Sequence, residues 1–185
     1  MRAVKLALAG AILGSMLLVA SVALAASPPK PGKINVYVTP KPDNSGAGTI
    51  VITGAIGDYG KTQSIDKSGK KDPNGTFEKV TLKQGSFVVD TTALDKKLAK
   101  APERVTTATC SASSSVTAPT SLSTGTGLYF GIGGTVKITA TFAAIAGRYT
   151  SGAKKGQCNF SNNSAPVAQY TQITGVGSVT FTVTG

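Results

Sequence analysis

The side chains of this chain that could do chemistry are few, and the chain contains no histidine. Serine or cysteine nucleophiles served by a histidine base, and zinc held on imidazole, are therefore excluded. Catalysis here would have to rest on Asp, Glu, Lys, Arg or Tyr. Asp58, Glu78, Asp90 and Glu103 fall in or beside strand-like segments. Two carboxyls held about 5–10 Å apart would suffice to hydrolyse a glycoside. No spacing singles out a pair, and acids so placed are ordinarily surface or turn residues. Two polar–aromatic pairs at segment ends, Asp58-Tyr59 and Arg148-Tyr149, stand out as pocket candidates, and Tyr129 within a glycine cluster joins them. The expected pocket residues are thus Asp58, Tyr59, Tyr129 and Arg148, with catalytic residues unassigned.

Two loops look like ion or phosphate sites and fail on spacing. Asp66-Lys67-Ser68-Gly69-Lys70-Lys71-Asp72-Pro73-Asn74-Gly75 lacks the alternating oxygen ligands and closing Glu of a calcium loop, and its lysines oppose a divalent cation. It reads as a solvated hairpin tip. The glycines from Gly125 to Gly134 do not keep Gly-x-Gly-x-x-Gly spacing and lead into a strand, where a phosphate loop needs a helix N-terminus. Neither a cofactor nor a metal is expected.

Cys110 and Cys158 are the two cysteines. A catalytic thiol needs a base to form its thiolate, and no histidine is present to serve. A pair in an exported chain reads as one disulfide. Closing so long a loop destabilises the unfolded chain by roughly 4 kcal/mol in chain-entropy terms.

Export is read from the first residues. Arg2 and Lys5 precede an uncharged run from Leu6 to Ala20, and the run closes on Ala23-Leu24-Ala25. That is the architecture of a cleavable signal peptide, cut after Ala25. An uncleaved anchor is the competing reading, since about 20 apolar residues span a bilayer. The small-residue exit into Ser27-Pro28-Pro29 favours cleavage. The expected organisation is a signal peptide at 1–25, a proline-rich leader at 26–32 and one domain at 33–185, secreted and with no membrane span after processing. The whole chain carries +11, and loss of Arg2 and Lys5 leaves about +9. Such a charge attracts polyanions such as wall polymer. The lysines are scattered and aromatics few, so no stacking platform for specific nucleic-acid binding is expected.

The elements that must position these residues are strands. Ile34, Val36 and Val38 alternate with Asn35, Tyr37 and Thr39; Val136, Ile138, Ala140 and Phe142 alternate with threonines and Lys137; Val179, Phe181 and Val183 alternate with Ser178 and threonines. Alternation of this kind puts one apolar face inward and one polar face outward, so Ile138 and Phe142 are expected inside and Thr139 and Thr141 outside. Further strands are expected at 49–56, 76–83, 86–91, 104–111, 127–132 and 167–174, with turns at Pro40–Gly46 and Asp72–Gly75. Only Thr92 to Lys100, with Leu94 and Leu98 one turn apart, reads as a short helix. Many short strands with little helix make an all-β antiparallel barrel of about eight strands, or a sandwich.

Gly125, Gly127, Tyr129, Gly131, Ile132 and Gly134 resemble the glycine–tyrosine–glycine hairpin of small secreted bacterial β-barrels related to the allene oxide cyclase and dirigent barrels. The resemblance covers 125–142 and implies an eight-stranded antiparallel barrel with an internal pocket. No catalytic residue of those enzymes aligns here, so none is carried over. Independently of any family, a tyrosine flanked by glycines serves to cover bare backbone, which makes Tyr129 a packing residue first.

These readings order the functional expectations. First comes a non-enzymatic barrel binding a small apolar ligand or a cell-envelope component. A cyclase- or dirigent-like enzyme that shapes a reactive intermediate is second, and a basic protein binding anionic wall polymer third.

Overall fold

The computed structural model describes residues 29–43, 45–161 and 163–182. The expected signal peptide and cleavage site lie outside the described residues. Nine strands and one helix follow in order: β1 Gly32–Pro40, β2 Ala47–Gly54, β3 Asp58–Ile65, β4 Phe77–Leu82, β5 Gly85–Asp90, α1 Thr92–Leu98, β6 Arg104–Thr106, β7 Ser111–Gly127, β8 Ile132–Ile145 and β9 Ala168–Phe181. Every pairing is antiparallel, in the order β5-β4-β3-β2-β1-β9-β8-β7-β6, and β5 also pairs with β7. That last ladder closes eight strands into a barrel, with β6 an extra strand on the side of β7. Closure removes the free edges within the barrel, while β6 and the outer end of β9 each keep one unpaired edge.

The period-two pattern accounts for the lumen. Ile52, Val36, Gly175, Ile138 and Ala118 form one inward cross-strand row; Ile34, Gly177, Val136 and Thr120 form another. Gly175 belongs in its row for steric reasons, because a Cβ there would collide with Ile138 and Val136. The apolar residues Ile34, Ile52, Val80, Phe87 and Val179 are almost wholly buried. Thr120, the hydroxyl among them, donates to the Val136 carbonyl at 2.9 Å. Outside, Thr117 and Thr139 share a hydrogen bond at 2.8 Å, and Ser115 and Thr141 another at 3.1 Å. The threonine-rich face is thus a ladder of cross-strand hydroxyl pairs.

β3 lacks the apolar alternation that marks the others, and in β7 it is confined to Val116, Ala118 and Leu122. β3 (DYGKTQSI) turns Asp58, Gly60, Thr62 and Ser64 inward, and β7 is a 17-residue run dominated by Ser and Thr. Neighbouring strands on both sides supply their backbone hydrogen-bond partners, so neither depends on a continuous apolar stripe. Conversely, the strand expected at 127–132 is a turn. Gly127 and Gly131 adopt φ of 59° and 71°, and Tyr129 and Ile132 bond back to Thr126 and Tyr129. Of the segment expected at 104–111, Arg104–Thr106 is β6 and Ser111 opens β7, while residues 107–110 are a turn. The strand expected at 167–174 and the one expected around Val179 and Phe181 merge into the single β9, and Val183 lies outside the described residues. In the loop before β4 it is Gly69, and not Gly75, that takes the positive φ. The Asp66 carboxylate caps its own turn there, accepting from Ser68 N, Ser68 Oγ and Lys70 N at 2.7–2.9 Å.

The two ends of the barrel differ. At one end the β7–β8 turn folds Tyr129 inward as a plug. At the other, β8 and β9 continue past the end of the β1–β9 ladder at Val38–Ile173, and with β6 and the first half of β7 they form a projecting arm. Cys110 and Cys158 staple this arm, with an S–S bond of 2.09 Å and a Cα separation of 5.2 Å across 48 residues of sequence. Between β5 and β6, α1 lies over the barrel mouth with Leu94 buried, and Lys97 Nζ donates to Thr117 O at 2.8 Å. Among the described residues no helix is long and apolar enough to cross a membrane.

Candidate functional site: the barrel mouth

The open end holds a cavity of about 860 Å³, within the size range of small-molecule sites. Its floor is apolar: Val36, Ile50, Val80, Val89 and Ile138. The same five residues also line a smaller void of about 30 Å³ deeper in the barrel, with Ile34, Ile52, Phe87, Thr120, Leu122 and Val136. Leu94, Phe142, Tyr170 and Ile173 contribute to the upper wall.

Polar groups ring the upper cavity: Thr39 and Lys41 at the end of β1, Gln169 and Thr171 on β9, and Thr62, Ser64, Glu78 and Thr91 on the β3–β5 side. β3, β4 and β5 bring Ser64, Glu78 and Val89 into one cross-strand row. Glu78 shares its parity with Val80 and Leu82, so the pleat that buries those two also turns the carboxyl toward the lumen. Ser64 Oγ lies 2.9 Å from Glu78 Oε2 and 3.1 Å from the Gly46 carbonyl, so its single proton serves one at a time. Burial pushes the Glu78 carboxyl above its ordinary range; the Ser64 and Thr62 hydroxyls pull it back, and the nearby Asp95 carboxylate raises it further. Asp95, on α1, is itself raised by burial, against a hydrogen bond from Thr91 Oγ1 at 2.9 Å and with repulsion from Asp90. No cation is among the groups acting on Glu78.

The four residues expected in a pocket lie elsewhere. Asp58 and Tyr129 do meet, at the opposite end of the barrel. Tyr129 is 0% exposed, and its hydroxyl donates to Asp58 Oδ2 at 2.6 Å. Asp58 also accepts from the N–H groups of Tyr59 at 2.6 Å and Gln84 at 3.1 Å. Burial works to raise the Asp58 carboxyl, but these donors, Tyr129 first, hold it below its ordinary range. The Tyr129 hydroxyl is raised well above the usual phenol range by burial and by bonding to that carboxylate. The ring packs edge-on to Phe87, with centroids 5.7 Å apart, and lies against Gly85. At Gly125 a Cβ would overlap the Tyr129 carbonyl. This is a packed lock, as the glycine spacing implied. Tyr59 points outward, with Lys83 Nζ 5.4 Å from its ring centre. Arg148 clasps the Ala108 and Gly156 carbonyls at 2.8 and 2.7 Å beside the disulfide.

Phe142, expected deep inside, is 38% exposed at the cavity rim. It stands where β8 has risen past the end of β1, so no opposite wall covers it. The cavity residues that sequence reasoning did not assemble are Ser64, Thr62, Thr91 and Leu94 around Glu78. The one legible signal was parity, an acid in register with two inward apolar residues of β4.

No family profile matches the sequence, and no curated protein and no solved structure is significantly similar to it.

Proposed function

We propose that this protein is an exported, non-enzymatic binding barrel that takes a small amphipathic molecule into its mouth, apolar body first. The observation that carries the reading is the 860 Å³ cavity, with an apolar floor and polar groups around its upper wall, Glu78 the acid among them. Such a site buries an apolar body and orients it by a few convergent polar groups. A disulfide-stapled barrel suits an oxidising, extracellular setting. Lys33, Lys61, Lys79 and Lys137 point outward from four different strands. This even spread favours a solubilising charge over a dedicated polymer-binding face.

The test is titration with Nile red, a neutral dye whose emission rises in apolar surroundings. Wild type should bind it saturably with one site, and Val38→Trp, which fills the cavity from β1, should lose at least tenfold in affinity while still melting cooperatively. Equal binding by the two would sink the reading.

A further inference from the structure

Glu78 has a geometry that the cavity alone does not explain. It is the one acid lining the cavity, and Lys41 the one base, which lies on the exposed rim after β1. Polar side chains buried without a function are costly, and a carboxyl over an apolar floor could as well have been a glutamine or leucine. Its immediate partners are hydroxyls, and the charge that acts on it, Asp95 of α1, has its own sign; Asp90 at the end of β5 acts on Asp95 and has Lys96 beside it. A chain with 19 basic and 8 acidic residues has thus placed a carboxyl inside this opening and a base only at its exposed rim.

We propose that the ligand's head group is a protonated amine, seated on the Glu78 carboxylate and the Ser64 and Thr62 hydroxyls, with its apolar body on Val36, Ile50, Val80, Val89 and Ile138. An ammonium presents three N–H donors and no acceptor, matching one carboxylate and two hydroxyl oxygens. A divalent metal ion fits poorly, since it would want several oxygen anions where the cavity offers one carboxylate. An anionic amphiphile would meet Glu78 with like charge. The inference rests on the cavity being a binding site, and the experiment separates the two claims.

Decylammonium, decanol and decanoate share one apolar body and differ in the head. Each would be titrated calorimetrically into the oxidised, exported chain at neutral pH and low salt, below the concentration at which it self-associates. The protein's positive net charge by itself favours decanoate, so a preference for the amine must be local. The expected result is decylammonium bound at least about tenfold more tightly than decanol, the scale of one charge-assisted hydrogen bond, with decanoate weakest. In Glu78→Gln the amine should lose its advantage and bind no more tightly than the alcohol. Equal binding of amine and alcohol by wild type, or an amine preference that survives Glu78→Gln, overturns the head-group assignment and leaves the cavity reading standing. Binding of none of the three overturns both.

Discussion

Tyr129→Phe isolates the lock at the closed end of the barrel. The ring, its edge-on contact with Phe87 and its cover over Gly85 all persist in the variant; only the hydroxyl is lost. Asp58 then keeps two backbone donors and loses the 2.6 Å bond from Tyr129. A buried hydrogen bond to a charged group contributes about 1.5–3 kcal/mol, so the variant should be less stable by about 2 kcal/mol at neutral pH. The pH dependence carries a second signature. Asp58 is held below its unfolded-state value, so its ionised form stabilises the fold above the unfolded pKa. That contribution is lost as pH falls through the lower folded value. Without the Tyr129 donor the folded value rises toward the unfolded one, and the acid loss of stability shrinks. The assay is a set of urea melts from neutral pH down to the acid limb, wild type against variant, with the difference expected to narrow toward low pH. A variant as stable as wild type at pH 7, or a difference that does not change with pH, would refute the assignment of Tyr129 as a donor to an ionised Asp58.

Reducing the Cys110–Cys158 bond should lower the unfolding free energy by roughly 4 kcal/mol, given the 48-residue separation, and a double serine variant melting like wild type would contradict this. Phe87→Ala should cost about 3–5 kcal/mol as a core truncation, and Phe142→Ala, at the open rim, well under half of that; paired urea melts decide. Glu78→Gln should raise the melting temperature at neutral pH. Burial raises the Glu78 carboxyl in the folded state, so its neutral form supports the fold at low pH and that support is lost as pH rises through the folded value; the gain should vanish in acid. Intact mass of exported protein should begin at Ala26 or Ser27, and full-length chain in the membrane fraction would overturn the processing expectation.

The barrel was legible where the physics is local and hidden where it is not. β1, β2 and β8 each carry an apolar residue at every second position, and such strands declare themselves. β3 and β7 do not, because inward positions at a barrel's rim can be polar and outward ones are solvated in any case. Their strand state comes from neighbours on both sides, which a single run of residues cannot show. The Tyr129 cluster was legible because glycine is demanded by sterics: the chain crosses itself at Gly125, where a Cβ would overlap the Tyr129 carbonyl. Which partner the hydroxyl would find, 71 residues away at Asp58, was not. Phe142 misled for a related reason. Its parity is that of Ile138, but parity gives the face of a strand and not the height along it, and burial at a given height depends on where the opposite wall ends.

The placement of the two carboxyls shows how one fold can divide stability from function. Asp58 sits on the inward face of β3 at the closed end, and every oxygen has a donor; its environment favours the ion, and the ion holds the plug. Glu78 faces inward from β4 at the open end, where its environment disfavours the ion and supplies only hydroxyls. A buried carboxyl left without a positive partner lowers stability, and closed-end packing around Phe87, Val80 and Ile52 is what lets the barrel carry that cost. If Glu78 served the fold as Asp58 does, removing its charge would destabilise. The opposite sign of response, stabilisation by Glu78→Gln together with loss of amine selectivity, is what a binding residue should give. Measured on the same variant, the two readouts separate a residue placed for the ligand from one placed for the fold.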